Sequence, residues 1–286
     1  ISPDLTRNED RNKMKVMGKV WSVDAIFKNV FTSPLGTIVS LDESRLQQGL
    51  LVVGTDDGLV RISRDNGKNW EKHENFPGVP QKAYVTDVIT SKHDVNTIYV
   101  SFNYHKYGDF KPYIIVTRDG GNSWQSIASD LPDNNFVWTV VEDHINPNLL
   151  FVGTEFGMFY SINSGRSWNE FQDVPTIPIR DLEIHEEEDD IVAASFGRGF
   201  YILDDYSPIR EYSKQIDNKV AHLFSVKSTY QYVVAAPEKT ATGHNFFTSP
   251  NPSFGVKLSY YLGSSVLSKL EERQNEESAK FSRGEI

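Results

Sequence analysis

An eight-residue pattern occurs three times and constrains the fold more than any other feature of the chain. It reads Ser63-Arg-Asp65-Asn-Gly67-Lys-Asn-Trp70, then Thr117-Arg-Asp119-Gly-Gly121-Asn-Ser-Trp124, then Ser161-Ile-Asn163-Ser-Gly165-Arg-Ser-Trp168. One S/T-x-D-x-G-x-x-W match would say little. Three, each following an apolar strand-like run, specify a repeat architecture whose units cover one another's apolar faces. The chemistry of the pattern is that of a turn. Asp or Asn accepts backbone N–H groups of its own loop. Gly supplies a backbone conformation closed to residues with a Cβ. Ser or Thr ends the incoming strand, and Trp opens the outgoing one and fills the wedge beside it. These twelve positions are read as structural.

More of each unit repeats. Leu51-Val-Val-Gly54-Thr-Asp-Asp-Gly58 precedes the first box and Phe151-Val-Gly153-Thr-Glu-Phe-Gly157 the third. Ile98-Tyr-Val-Ser101-Phe starts the second in the same way but carries a longer loop, 103–110. Strand candidates lie upstream at 37–41, 84–89 and 137–141. A fourth unit (179–184, 191–195 and 199–203) lacks the box and turns on Asp204-Asp205. Four short strands over roughly 45 residues is the size of a propeller blade. The expected fold is all-β, with about four four-stranded blades over residues 1–207. The 12% aromatic content, 19 Gly and 13 Pro agree with short strands and tight turns.

The remainder changes character. Residues 208–219 read as a polar linker and 220–286 as an incomplete β-rich domain. Strands are expected at 220–224, 231–235 and 256–262, a long Pro/Thr/Asn-rich loop at 236–253, and a charged, exposed helix near 265–280.

With 29 basic against 39 acidic residues and a net charge of -10, a nucleic-acid partner is not expected. The absence of cysteine excludes disulfides, thiol nucleophiles and cysteine-ligated metals. No apolar run approaches the roughly 20 residues of a membrane span. No signal peptide is visible, and the start Ile1-Ser2-Pro3-Asp4 suggests a processed chain or a segment of a larger one.

The boxes, together with Gly197-Arg198-Gly199-Phe200-Tyr-Ile-Leu-Asp204-Asp205-Tyr-Ser-Pro208, resemble the Asp-box or BNR-repeat proteins. That group includes sialidases, xyloglucanase-like glycosidases and the sortilin ectodomain. The resemblance is greatest to large exported bacterial proteins of the sortilin-like or BNR glycosyl hydrolase type, and it covers residues 1 to 262. It implies a seven-bladed ring of which this chain is the later part, completed by the rest of the same protein or by another chain; a closed four-bladed ring is the alternative. It implies that residues 1–6 are the strand after a missing box, and that a β-sandwich begins after the propeller. It implies an extracellular, periplasmic or cell-surface location in a bacterium. The lack of cysteine sets the chain apart from sortilin-type receptors.

In such a propeller, ligands bind on the face opposite the box turns. The loops mapped to that face carry the candidate site residues. Asp56, Asp57 and Glu155 are carboxylates for general acid/base work on a glycoside, if paired about 5–10 Å apart; solvated turn acids are the simpler reading. Tyr104, His105, Tyr107 and Phe110 belong to the loop that breaks the repeat length and offer rings for a sugar or peptide. Trp138, Phe156, Arg180 and Arg198 complete the set. An arginine fork suits a carboxylate, but a sialidase needs a third arginine and a Tyr–Glu pair, and none can be assigned. Arg198 also fits a structural salt link. No H-E-x-x-H, P-loop, G-x-S-x-G or dinucleotide fingerprint is present, and the seven His show no ligand spacing. No metal or cofactor is expected. Two functions remain: a non-catalytic binding or scaffold propeller for a glycan, peptide or partner chain, or a glycoside hydrolase to which this chain lends part of an active-site rim.

Overall fold

The computed structural model describes residues 2–26, 28, 35–213, 215–229, 255–264 and 266–285. The chain divides into two compact units, 1–210 and 211–286.

The first unit is a stack of antiparallel β-sheets, each made of consecutive strands. The first blade holds β1 (Ile38–Glu43), β2 (Leu51–Thr55), β3 (Val60–Ser63) and β4 (Glu71–His73). The second holds β5 (Tyr84–Thr90), β6 (Ile98–Tyr104), β7 (Asp109–Thr117) and β8 (Gln125–Ser126). The third holds β9 (Val137–Glu142), β10 (Leu150–Thr154), β11 (Gly157–Ser161) and β12 (Asn169–Glu170). The fourth holds β13 (Ile179–His185), β14 (Asp190–Ser195) and β15 (Phe200–Leu203). These are the propeller blades the repeats specify. The fourth has three strands among the described residues, not the expected four. Its chain has no box to make a hairpin: it turns at Asp205, in a left-handed conformation, into the short helix α1 (Ser207–Glu211).

Each first strand pairs with its second through a register shift at the same place, so positions correspond across blades. Leu41, Val88, Val140 and Leu182 lie opposite Val53, Val100, Val152 and Ala193. Apolar residues alternate along the strands, and each interior blade presents both faces to neighbours. The result is three cores, one in each gap. Val52, Val60 and Ile62 meet Val85, Val88 and Phe102. Ile114 and Val116 meet Val137, Val140 and Val152. Phe151 and Met158 meet Ile179, Leu182 and Ile191. Gly153 allows one of these approaches, since a Cβ there would lie 2.7 Å from the Ile179 carbonyl oxygen. The first strands are innermost; residues of β1, β5, β9 and β13 line one small cavity of about 130 Å³.

All three boxes form the same turn. Ser63, Thr117 and Ser161 donate to Asp65, Asp119 and Asn163 at 2.9, 2.8 and 2.9 Å. The same hydroxyls accept the N–H of Gly67, Gly121 and Gly165. The acid or amide then accepts the N–H of Asn69, Ser123 or Ser167. Each glycine has a positive φ, 78°, 101° and 81°. The tryptophans diverge. Trp168 is 7% exposed within the second core, its Nε1 donating to the Ile127 carbonyl at 2.8 Å. Trp124 is half-buried edge-on against Phe76. Trp70 donates to Gly67 of its own turn. Wedge filling therefore describes Trp168 fully, Trp124 in part, and Trp70 least.

Residues 2–6, the described part of the stretch expected as the strand after a missing box, form no strand. Leu5 is buried and its carbonyl accepts Arg61 Nε at 2.9 Å. At the far end, Arg210 grips Asp143 in a two-pronged contact, Nε to Oδ2 at 2.8 Å and Nη2 to Oδ1 at 2.7 Å, and reaches Asp189 at 2.7 Å. Tyr206 OH adds a bond to Asp143 at 2.6 Å. The segment expected to be a polar linker thus begins with a helix whose arginine is tied to the third and fourth blades.

In the second unit, Ile216 is buried in a short turn and β16 (Ala221–Leu223) pairs with β17 (Tyr260–Leu262). β17 is shorter than the expected 256–262. The helix α2 (Lys269–Ser282) is exposed throughout and starts with a capping box between Ser268 and Glu271. The expected strand at 231–235 and the loop at 236–253 lie outside the described residues.

Candidate functional site

The loops after β2, β10 and β14 fold back onto the segments that lead into the first strands. Asp56 N–H donates to Thr37, Glu155 N–H to Phe136 and Phe196 N–H to Pro178, at 3.0, 3.1 and 2.9 Å. These repeated bonds gather the β2–β3-type loops and the starts of the inner strands on one face.

Across that face runs a row of rings. Tyr104 and Tyr107 stack at 4.3 Å, with Lys106 reaching over Tyr84 at 5.7 Å. His105 stacks on Phe136 at 5.0 Å, Phe110 flanks Phe136 at 6.4 Å, and Phe136 meets Trp138 edge-on at 4.9 Å. Arg180 closes the row, its guanidinium 3.5 Å from the Trp138 ring centre and 5.0 Å from that of Phe196. Trp138 Nε1 donates to Glu155 at 2.9 Å, which fixes the indole. Tyr107, Phe110, Phe156 and Phe196 are exposed. Beside Tyr104 and Tyr107 opens a cleft of about 600 Å³, whose walls include Tyr84, Lys82, Lys106, Asp56 and residues of the 9–16 segment. Burial, with Lys106 close by, holds the His105 imidazole below its usual range. Burial also raises the Tyr84 phenol, helped by Asp56.

The structure brings Tyr104, His105, Tyr107, Phe110, Trp138 and Arg180 into this row. Arg198 lies exposed in the turn before β15 and forms no ion pair with a described residue; the structural salt link expected of it belongs to Arg210. The carboxylates are engaged in turns. Asp57 is buried and accepts Arg7 N–H at 2.7 Å and Thr55 Oγ1 at 2.6 Å. Asp56 accepts the N–H groups of Gly36 and Thr37 at 3.0 and 2.7 Å, and Glu155 holds Trp138. Phe136 joins the row without having been singled out in the sequence. Its signal was available, two residues before Trp138 and so on the same side of an extended segment. Among the described residues no group of three or more His, Asp or Glu side chains is arranged to hold a metal ion.

No protein-family model matches the chain, and no curated protein matches it. Solved structures similar to it include the GH74 xyloglucanase from Xanthomonas campestris, at 12% identity over 59% of this chain and 29% of that one, with a TM-score of 0.47. YCF48 from Cyanidioschyzon merolae is 19% identical over 60% of this chain and 55% of that one, with a TM-score of 0.45. The GH74 enzyme of Niastella koreensis is 17% identical over 61% and 24%, with a TM-score of 0.45. The chain thus spans less than two thirds of the length of each of these proteins.

Proposed function

We propose that the chain is a non-catalytic binding propeller of the Asp-box type, in an exported bacterial setting, whose ring-lined face recognises a glycan. The observation that carries this is the Arg180 guanidinium seated on half-buried Trp138, at the end of a row of rings of which Tyr107 and Phe110 are exposed and with exposed Phe196 beside it. Flat aromatic faces take up the apolar faces of sugar rings, and an arginine edge supplies hydrogen-bond donors to their oxygens. Among the described residues Arg180 makes no side-chain hydrogen bond or ion pair that would occupy those donors. Hydrolysis requires one carboxyl group held protonated and a second free to act. Asp56, Asp57 and Glu155 instead hold loops and an indole, which supports binding over turnover.

Affinity electrophoresis in gels containing xyloglucan, polygalacturonate or other soluble polysaccharides tests the reading. Retardation by at least one glycan is expected, with loss in Tyr107→Ala/Phe110→Ala and in Arg180→Ala, and no release of reducing ends. Unretarded migration across the panel would remove the glycan, and release of reducing ends by the wild type, lost in Glu155→Gln, would restore the hydrolase.

A further inference from the structure

The sequence concentrates positive charge in one short stretch. Residues 7–28 carry Arg7, Arg11, Lys13, Lys15, Lys19 and Lys28 against Glu9, Asp10 and Asp24, in a chain whose net charge is -10. The start of this stretch is pinned to the blades. Arg7 donates its N–H to Asp57 Oδ2 at 2.7 Å and its Nη1 to Glu74 at 2.7 Å, and Glu9 holds Lys82 Nζ at 2.6 Å. Beyond these anchors the chain makes a tight hairpin in which Val16 pairs with Lys19, and Trp21 Nε1 donates back to the Val16 carbonyl at 2.9 Å. Lys28 Nζ donates to the Trp21 carbonyl at 2.6 Å.

The anchored segment walls the cleft of about 600 Å³ beside Tyr104 and Tyr107, a volume within the roughly 300–1,000 Å³ of ligand sites. Met14, Lys15 and Val16 come from the segment, and Tyr84, Tyr104 and Lys106 from the second blade. The acids that line the cleft have partners within the protein. Glu9 holds Lys82, Asp56 accepts the Gly36 and Thr37 N–H groups, and Asp57 is buried and bonded to Arg7. Lys15 and Lys106 are exposed, and neither forms an ion pair with a described residue. Lys106 lies 5.7 Å from the Tyr84 ring centre. The cleft therefore offers two ammonium groups beside a stacked tyrosine pair, of which Tyr107 is 71% exposed. A concave site lined by cations without carboxylate partners concentrates anions even on an acidic protein. The positive field continues along the ring row. After burial, Lys106 and then Arg180 help to hold the His105 imidazole low, against Glu155.

We propose that this cleft takes a negatively charged sugar unit, so that the glycan of the ring-lined face is an acidic polysaccharide. The inference rests on the glycan-binding reading above and names its ligand class. Lys15 and Lys106 receive the anionic substituent, a carboxylate or a sulfate ester, while the sugar ring lies on the tyrosine pair. An ammonium is a compact charge with three donors and suits either group. A neutral polysaccharide offers these lysines only hydroxyl groups and so lacks the stronger, doubly charged hydrogen bond. The tyrosine pair favours a sugar over the carboxylate side chains of an acidic peptide, which have no flat face to lay on it.

Titration calorimetry of the whole chain with four polymers tests this. Polygalacturonate supplies carboxylates, a sulfated galactan supplies sulfate esters, xyloglucan is the neutral glycan, and poly-glutamate carries charge without sugar. Polygalacturonate, the sulfated galactan or both should bind about tenfold or more tightly than xyloglucan. Raising the salt from about 0.05 to 0.5 M should remove most of that difference. Lys15→Gln and Lys106→Gln should each lower the affinity for the acidic glycan by about tenfold. Their thermal midpoints should not move, since both side chains are exposed. Lys68→Gln, in the first box turn, should leave the affinity unchanged. Xyloglucan bound as tightly as the acidic glycans overturns this inference and leaves the glycan-binding reading standing. Poly-glutamate bound as tightly as the acidic glycans overturns it, as does unaltered affinity in either cleft-lysine variant. Binding to none of the three glycans overturns both readings.

Discussion

The guanidinium of Arg180, at the start of the innermost strand of the fourth blade, lies 3.5 Å above the ring of Trp138, at the start of the innermost strand of the third. One side chain from each of two neighbouring blades therefore forms a single surface. Glu155 anchors the indole from the loop after β10 and Phe196 flanks the cation from the loop after β14. Two loops and two strands meet in one contact.

Arg180→Ala should leave the fold almost intact. An exposed cation–π contact contributes about 0.5–1 kcal/mol, so the thermal midpoint should move little while the emission of Trp138 changes. Glycan affinity should fall by about tenfold or more, as expected for losing a charge-assisted hydrogen bond. Arg180→Lys should not restore it, since an ammonium cannot lie flat on the indole and offer a planar edge. Parallel melting curves and binding titrations of both variants decide this; full affinity in the lysine variant would remove the stacked fork from the site.

The box tryptophans should rank by burial despite their identical place in the repeat. Trp168→Ala removes a ring from the second core and should destabilise the unit by about 3–5 kcal/mol. Trp124→Ala should fall below it, and Trp70→Ala lowest, because that indole bonds within its own turn. Urea unfolding of the three variants gives the order directly. Equal losses would mean the three positions play one role.

The fold was legible because repetition did most of the work. Each Gly67-type glycine and each Ser63–Asp65-type pair announces its turn locally, and strand lengths follow from the alternation between turns. The ring-lined face was only half legible. The long 103–110 loop stood out because it breaks the repeat, and Trp138 and Arg180 because they begin inner strands. Their stacking is a contact between blades, which no local pattern records. Arg198 was given a structural role that Arg210 fills, since the motif shows which residues follow the last strand but not which of them turns back.

Asp119→Asn tests the box electrostatics. Hydrogen bonds from the Ser123 hydroxyl and N–H and from Thr117 hold the Asp119 carboxyl down at about 2. A folded-state pKa below the unfolded one stabilises above the unfolded value and is lost as pH falls through the folded one. The third box already works with Asn163, which accepts Ser167 N–H and donates to its hydroxyl. Asp119→Asn should therefore match wild type near neutrality and lose less stability between about pH 4 and pH 2. Asp119→Ala should be weaker at every pH. Melting curves across that range distinguish the two.

Asp87 works in the opposite direction. Burial pushes its carboxyl up to about 6, with the nearby Asp181 adding to it, against hydrogen bonds from Val140 N–H and Thr139 Oγ1. Here the folded state binds the proton more tightly, so stability is greatest below the ordinary value of 3.8 and declines as pH rises through about 6. Asp87→Asn keeps an oxygen for both donors without the charge. It should stabilise the unit by about 2–3 kcal/mol at pH 7.5 and make little difference at pH 4. An unchanged midpoint at pH 7.5 would mean that Asp87 is ionised and solvated in the folded chain.

Arg210→Ala should be the most damaging single change outside the cores. Burial alone would raise the fully enclosed Asp143 carboxyl, but the hydrogen bonds from Arg210 and Tyr206 overcome this and hold it at about 2. Removing the guanidinium leaves that charge buried with one neutral donor and a few loop N–H groups, and breaking such a pair costs about 3–5 kcal/mol. Asp143→Asn alone also breaks the pair, from the other side. The double variant Arg210→Ala/Asp143→Asn should recover much of the arginine's loss, because no uncompensated carboxylate remains. A double-mutant cycle from urea unfolding at pH 7 measures the coupling. A coupling near zero would show that α1 is held by its apolar contacts and that the arginine–aspartate grip adds nothing to the closing of the fourth blade.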